Sequence, residues 1–157
     1  RTPYLYLNNQ TVTYTGERLD IGTLTTYSVV SGDTLGVTYE YTKDAVTTDS
    51  VTNAGVYSVQ ALLKDHRNYN DATSSSVTFT IKKAIPVITL LSKTVSYTGN
   101  PMEIDEPEIE GGTAKRDLTF VTEYEGINGT VYSKTQTAPS AVGEYKVTVS
   151  TSGDDNH

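Results

Sequence analysis

Along most of this chain apolar and polar residues alternate one by one. The pattern is clearest in GVYSVQALL (residues 55–63), where Tyr57, Val59, Ala61 and Leu63 fall on every second position, and in EYKVTVST (144–151), where Tyr145, Val147 and Val149 do the same. A period of two places alternate side chains on one face of an extended strand. Similar runs are TVTYTG (11–16), GVTYEY (36–41), SVTFTI (76–81), TVSYTG (94–99) and LTFVTEY (118–124). PYLYLNN (3–9) and PVITLLS (86–92) each open on proline, which suits the first residue of a strand. ERLDI (17–21) and NPMEI (100–104) read as short strands. No stretch holds a 3.6-residue apolar period over ten residues, and Tyr, Thr and Val fit a pleated, half-buried surface. The chain is therefore expected to be all-β. Its inward positions are expected at Val12, Tyr14, Tyr41, Tyr57, Val59, Phe79 and Ile81, and again at Val95, Tyr97, Tyr124, Tyr145 and Val147.

Those two sets reflect an internal repeat. QTVTYTG at residues 10–16 returns as KTVSYTG at 93–99, and an offset of 83 also aligns Pro3 with Pro86, Leu7 with Leu90, Ile21 with Ile104 and Tyr41 with Tyr124. AGVYSV (54–59) matches VGEYKV (142–147) at an offset of 88, so five extra residues lie between Tyr124 and Gly143, where a surface loop absorbs them cheaply. The stretch between Gly22 and Thr34 has no counterpart and reads as a variable loop. Repetition of this kind divides the chain into tandem units, here 1–84 and 85–157. The second unit lacks a counterpart of the SVTFTI strand, so it is read either as clipped at its C-terminal side or as a permuted unit that begins with that strand. Six or seven short strands in about 80 residues make each unit a small sandwich. In immunoglobulin-like sandwiches a tyrosine near the start of the penultimate strand anchors a corner through its hydroxyl; Tyr57 and Tyr145 stand at that place.

The joint TIKKAIPVITL (80–90) has no Gly and no Ser run, unlike a flexible linker. Pro86 fixes its own φ and biases Ile85 toward an extended backbone. The sequence thus predicts an elongated arrangement with the two units end to end.

The order Tyr-Thr-Gly, Ala-Gly-Val-Tyr-Ser-Val, Asn68-Tyr69, then Thr78-Phe79-Thr80-Ile81-Lys82-Lys83-Ala84 resembles the MBG-type and related bacterial immunoglobulin-like repeats. Unit one carries all of these blocks. Unit two carries the first two, has His157 where tyrosine is expected, and lacks the linking block. The resemblance implies tandem immunoglobulin-like β-sandwich domains in a stalk or adhesin at a bacterial surface, with neighbouring repeats of the same chain as partners and no catalytic residues.

Charge and candidate chemistry agree with that picture. A net charge of −7 argues against nucleic-acid binding, which needs clustered Lys and Arg; only Lys82–Lys83 and Lys115–Arg116 stand together. There is no cysteine, which suits a bacterial extracellular protein better than a small disulfide-stapled eukaryotic one. No segment has the length and apolarity of a membrane helix. The sequence starts at Arg1 and shows neither signal peptide nor anchor, so it is read as part of a longer protein. Two histidines, His66 and His157, are the only imidazoles, and no nucleophile elbow, zinc motif or phosphate loop occurs. The carboxylates of EIDEPEIEGG (103–112), including Glu103 and Glu108, alternate with Ile104 and Ile109 and read as the solvent side of a strand pair rather than a glycosidase pair. Asp65, Asn68, Asn70 and Asp71, echoed by Asp154, Asp155 and Asn156, offer oxygen ligands of the type calcium takes, but without a known loop spacing and with turn chemistry as the simpler role. A Lys–Asn crosslink finds no Lys–Glu–Asn trio placed alike in both units. The expectation is a structural stalk segment that is not an enzyme and has no catalytic, cofactor or metal residues. The alternative is an adhesion module in which variable loops or exposed tyrosines such as Tyr27 and Tyr132 contact a glycan or host protein.

Overall fold

The computed structural model describes residues 1–110 and 118–157. The described chain is all-β, with no helix. It divides into two compact units: Arg1–Ala84 with Asn156, and Ile85–Asp155 with His157.

Unit one is built on nine-residue β6 (Gly55–Leu63), whose every second side chain is buried as the alternation requires. On one side β6 pairs antiparallel with β4 (Thr38–Lys43), which continues into β5 (Val46–Thr48). On the other side lies β8 (Val77–Lys82), antiparallel to β6, and beyond it β2 (Gln10–Thr13), parallel to β8. The two-residue β7 (Ala72–Thr73) pairs with the end of β6. A second, two-stranded sheet joins β1 (Tyr4–Tyr6) to β3 (Thr25–Tyr27). Leu5 from β1 is buried in the same cluster as Tyr41, Val59, Leu63, Phe79 and Ile81 from the larger sheet, so the two sheets enclose one core. All the inward positions expected for unit one face this core; Val12 is half-buried against it and the other six are buried. The hydrophobic cluster lies wholly in unit one.

Three expectations for unit one change. β3 forms inside the 22–34 stretch, which the sequence reads as a variable loop, and β5 and β7 are further short strands. ERLDI provides a single bridge, Leu19 to Val51, rather than a strand.

Unit two has four strands among the described residues. β9 (Val87–Thr89) pairs with β10 (Glu108–Glu110), and β11 (Phe120–Ile127) pairs with β12 (Glu144–Thr151) over eight residues, all antiparallel. Tyr124 is buried, and Tyr145 and Val147 are half-buried, as expected. Val95 and Tyr97 are not: they are 44% and 68% exposed, and residues 91–98 form no strand. The physical reason is pairing. In unit one the matching segment, β2, pairs with β8, and among the described residues no strand pairs with residues 91–98. NPMEI likewise forms no strand.

Several hydrogen bonds nevertheless recur at matched positions. The Ile21 N–H donates to the Tyr41 hydroxyl at 3.0 Å, and the Ile104 N–H to the Tyr124 hydroxyl at 3.3 Å. The Leu19 N–H donates to the Val51 carbonyl and the Met102 N–H to the Pro139 carbonyl, both at 2.9 Å. The Tyr57 hydroxyl donates to the Asn53 carbonyl at 2.7 Å, and the Tyr145 hydroxyl to the Ala141 carbonyl at 2.9 Å; each is the backbone bond, four residues upstream, that a tyrosine corner makes. Gly16 and Gly99 both take φ of 80°, a left-handed conformation that glycine adopts without steric cost. Where β4 meets β5 through Tyr41 and Thr48, unit two has a bridge between Tyr124 and Thr135. Four of the five inserted residues fall before that bridge.

Two outcomes follow. Phe79→Ala empties a fully buried site at the centre of the large sheet and is expected to destabilise unit one by about 3–5 kcal/mol, whereas Tyr97→Ala, at an exposed site, is expected to change unit two by less than about 0.5 kcal/mol. Urea unfolding followed by amide exchange in each unit separates the two. Burial is also the main cause that raises the phenol pKa of both Tyr39 and Tyr41 above the ordinary 10.0; the charge of Asp20 adds to it, and at Tyr41 the Ile21 N–H bond partly offsets it. A raised folded pKa means the folded state holds its proton longer than the unfolded one. The contribution is whole below about pH 10 and is lost as pH rises through the folded value. Thermal melts between about pH 8 and 12 are expected to show unit one weakening above about pH 10, and Tyr41→Phe to flatten that slope; an equal slope in the variant overturns the assignment.

Candidate functional site

The oxygen-rich loop of unit one is held by bonds within itself and to the N-terminal residues. Asp71 accepts from the Asp65 N–H at 3.0 Å and lies 3.5 Å from the Lys64 ammonium. Asn70 donates from its amide to Thr2 at 2.9 Å and from its backbone to the Arg1 carbonyl at 2.9 Å. Asp154 accepts from both the backbone and Nδ1 of His157, at 2.7 and 2.8 Å. Among the described residues no group of three or more His, Cys, Asp or Glu side chains is placed to hold a metal ion.

His66 is a loop residue. Its Nδ1 accepts from the Asn68 N–H at 3.1 Å, leaving Nε2 to donate to the Thr34 carbonyl at 3.3 Å. Its ring lies 5.1 Å from that of Tyr69. Tyr69 is buried, donates to Asp33 at 2.7 Å and accepts from the Val30 N–H at 2.8 Å. Histidine and tyrosine together pin the 30–34 segment to the loop that follows β6. The sequence marked Tyr69 only as half of an Asn-Tyr motif; its partner Asp33 lies in the stretch with no repeat counterpart, so no pattern pointed to it.

The acidic run is divided among different tasks. Glu108 and Glu110 point outward from β10 while Ile109 is half-buried. Asp105 pairs with Lys93, and Glu103 is exposed. Gly111 and Gly112 of this run, and the Lys115–Arg116 pair, lie outside the described residues. On the β11–β12 sheet Lys134 bonds to Glu123 at 2.8 Å, which raises the lysine's pKa through that hydrogen bond and the carboxylate charge. Asn128 bonds to Glu144. The two pairs use different glutamates, so these contacts assemble no Lys–Glu–Asn trio.

Two surfaces remain as candidates for contact with other molecules. On the β1–β3 sheet Tyr4 and Tyr27 pair across the strands with ring centres 6.0 Å apart, 56% and 55% exposed, and Tyr6 is exposed beside them. Tyr27 is thus open, as expected. Tyr132 is not: it is half-buried, its hydroxyl donates to the Thr137 carbonyl at 2.9 Å, and the edge of one ring meets the face of the other where it packs on Tyr145, 5.5 Å away. The second surface is a groove of about 780 Å³ in unit two, with Val95, Tyr97, Ile104, Tyr124, Tyr145 and Val147 among its lining. Apolar concavities of this size are common binding places.

The chain matches no family model, no curated protein and no solved structure.

Proposed function

We propose that this chain is a structural segment of a bacterial cell-surface or secreted adhesin-like protein, made of two immunoglobulin-like sandwich repeats and without catalytic activity. The observation that carries the reading is the recurrence of the same tyrosine hydroxyl bonds in both units: Tyr41 with Tyr124, and Tyr57 with Tyr145. Chains that repeat one scaffold rather than elaborate one site use it for length and spacing. Among the polar candidates, Asp71 and Asp105 are engaged in ion pairs, and His66 and Asp154 in turns. The absence of cysteine and the resemblance of the Tyr-Thr-Gly, Gly-x-Tyr-x-Val and Thr-Ile-Lys-Lys-Ala blocks to bacterial surface repeats support the location.

A spacer transmits distance only if its joints resist folding back. The reading therefore includes units placed end to end, on the strength of a joint without Gly and with Pro86 next to Ile85. Small-angle scattering is expected to give a maximum dimension well above that of a single compact 157-residue globule. A value close to the globule's would overturn the spacer.

The exposed Tyr4–Tyr27 pair favours a second reading, adhesion through an aromatic face that a glycan ring or a host protein could cover. Under the spacer reading, the double substitution Tyr4→Ser and Tyr27→Ser leaves binding to glycan arrays and host matrix proteins unchanged. Loss of a wild-type signal in that variant, with unit one still folded by amide exchange, selects the adhesion module.

A further inference from the structure

Asn128 is the chain's only asparagine followed by glycine. The pair forms the tip of a hairpin in which the chain turns back along β11. Asn128 and Gly129 have φ of 50° and 89°, and the Thr130 N–H donates to the Ile127 carbonyl at 3.0 Å. Successive left-handed residues inside such a bond make the tight hairpin turn that Asn-Gly forms best. The tip is clasped from the start of β12. The Asn128 side-chain amide donates to the Glu144 carboxylate, and the Glu144 N–H donates to Thr130 Oγ1 at 2.9 Å. The fit is close: a side chain at Gly126 would strike the Thr130 carbonyl, and one at Gly143 the Thr130 side chain. Unit one makes the turn between β4 and β5 with Asp44 and Ala45, left-handed at φ of 50° and 63°. That turn contains neither an amide side chain nor a glycine.

We propose that Asn128 is a site of self-modification, which the clasped hairpin holds in check and which opening of the hairpin releases. The only co-reactant is water. The Gly129 backbone nitrogen gives up its proton and attacks Asn128 Cγ. The N–Cγ bond forms, the Cγ–Nδ2 bond breaks, and the amide nitrogen takes up a proton and leaves as ammonia. Water then opens the cyclic imide. Opening at Cγ gives aspartate; opening at the Asn128 carbonyl carbon gives isoaspartate, whose main chain is one carbon longer. One water is consumed, one ammonia is released, and nothing is oxidised. Glycine favours the attack because no side chain shields its nitrogen. The fold opposes it twice. Glu144 holds the Asn128 amide toward β12, and the Thr130–Ile127 bond keeps the backbone in the turn, so the side chain does not fold back over Gly129. Reaction therefore proceeds from the open tip, at a rate set by its population when opening is fast against the chemistry. The product does not rebuild the clasp. Aspartate at 128 sets a second carboxylate against Glu144, and like charges at that distance repel; isoaspartate lengthens a turn whose length fixes the hairpin register. Unit two thus keeps a chemical record of how often its hairpin has been open. The inference rests on neither the spacer nor the adhesion reading.

The test incubates the whole chain at mildly alkaline pH and follows position 128 by peptide mapping and mass spectrometry, which separates asparagine, aspartate and isoaspartate. The same chain unfolded in urea and the free peptide of residues 125–132 (EGINGTVY) are the open references. Asn128 is expected to convert at least about tenfold more slowly in the folded chain than in either reference, tenfold being about 1.4 kcal/mol of opening. Glu144→Ala removes the acceptor for the Asn128 amide. It is expected to raise the folded-chain rate at least about threefold, less than a typical hydrogen bond is worth, and to leave the rate in urea unchanged. Thr130→Val, which keeps the shape and loses the acceptor for the Glu144 N–H, is the milder variant; measured against its own urea rate it is expected to move the same way, and it decides the matter if Glu144→Ala costs unit two its fold. Asn128→Asp is expected to raise amide exchange at Thr130 and Glu144, a readout that does not depend on the reaction. Equal rates in the folded chain and in urea overturn the gate, as do folded-chain rates in both variants equal to that of the parent chain. An Asn128 that stays unconverted in urea overturns the site itself.

Discussion

Insertion of β8 between β2 and β6 is the constraint on which the folded organisation of unit one depends. Among the described residues β2 has no other strand partner, so its place in the sheet depends on β8. β8 also brings Phe79 and Ile81 into the core, and burying two such side chains contributes about 3–6 kcal/mol, comparable with the whole stability of many small domains. The Tyr14 N–H, just beyond β2, completes the pairing by donating to the Lys82 carbonyl at 2.8 Å. Among the described residues the sheets of unit two have two strands each, a number that is marginal in water without further cover.

What unit two retains is as informative as what it lacks. The bonds that survive are those made by tyrosine hydroxyls and by loop backbone, and they depend on segments present in both units. Tyr124 keeps the Ile104 N–H satisfied although the neighbouring 93–98 segment has no sheet, and Tyr145 keeps its corner at Ala141. A phenylalanine in either place would provide the apolar area but leave a backbone group without its partner, at a cost of about 1–3 kcal/mol where buried. Tyr41, Tyr57, Tyr69, Tyr124, Tyr132 and Tyr145 all use their hydroxyls in this way. In thin domains, aromatic side chains reach from the core to the backbone of the next loop, and the hydroxyl makes that reach specific.

The legible part of the fold was the part written by period-two alternation. β4, β6, β8, β11 and β12 were all expected, with their buried faces, and so was the tyrosine at each corner. The missed strands are short and depend on a partner. β3 is three residues, Thr25–Tyr27, two of them exposed, and forms because β1 lies beside it. β5, Val46–Thr48, is exposed throughout and exists through its pairing with β4. The error at Val95 and Tyr97 has the same origin with opposite sign. TVSYTG carries the full local pattern of a strand, but a strand also needs a neighbour, and a neighbour is a property of the sheet rather than of the segment. Among the candidate site residues, exposure of Tyr27 was legible; the tucked Tyr132 was not, because its cover comes from Tyr145, thirteen positions away.

The acidic character acquires a physical role in this setting. A strand with an open edge invites pairing between chains, and proteins oppose that with charge on exposed strands. β10 and β12 both do so. Glu108 and Glu110 face outward from β10, and Glu144 and Lys146 from β12. A net charge of −7 adds long-range repulsion between copies. Tyr145, Val147 and Val149 alternate with them along β12 and are half-buried. Unit two thus carries charge on the outward positions of its exposed strands, which discourages indiscriminate edge pairing, while the alternate positions stay half-buried.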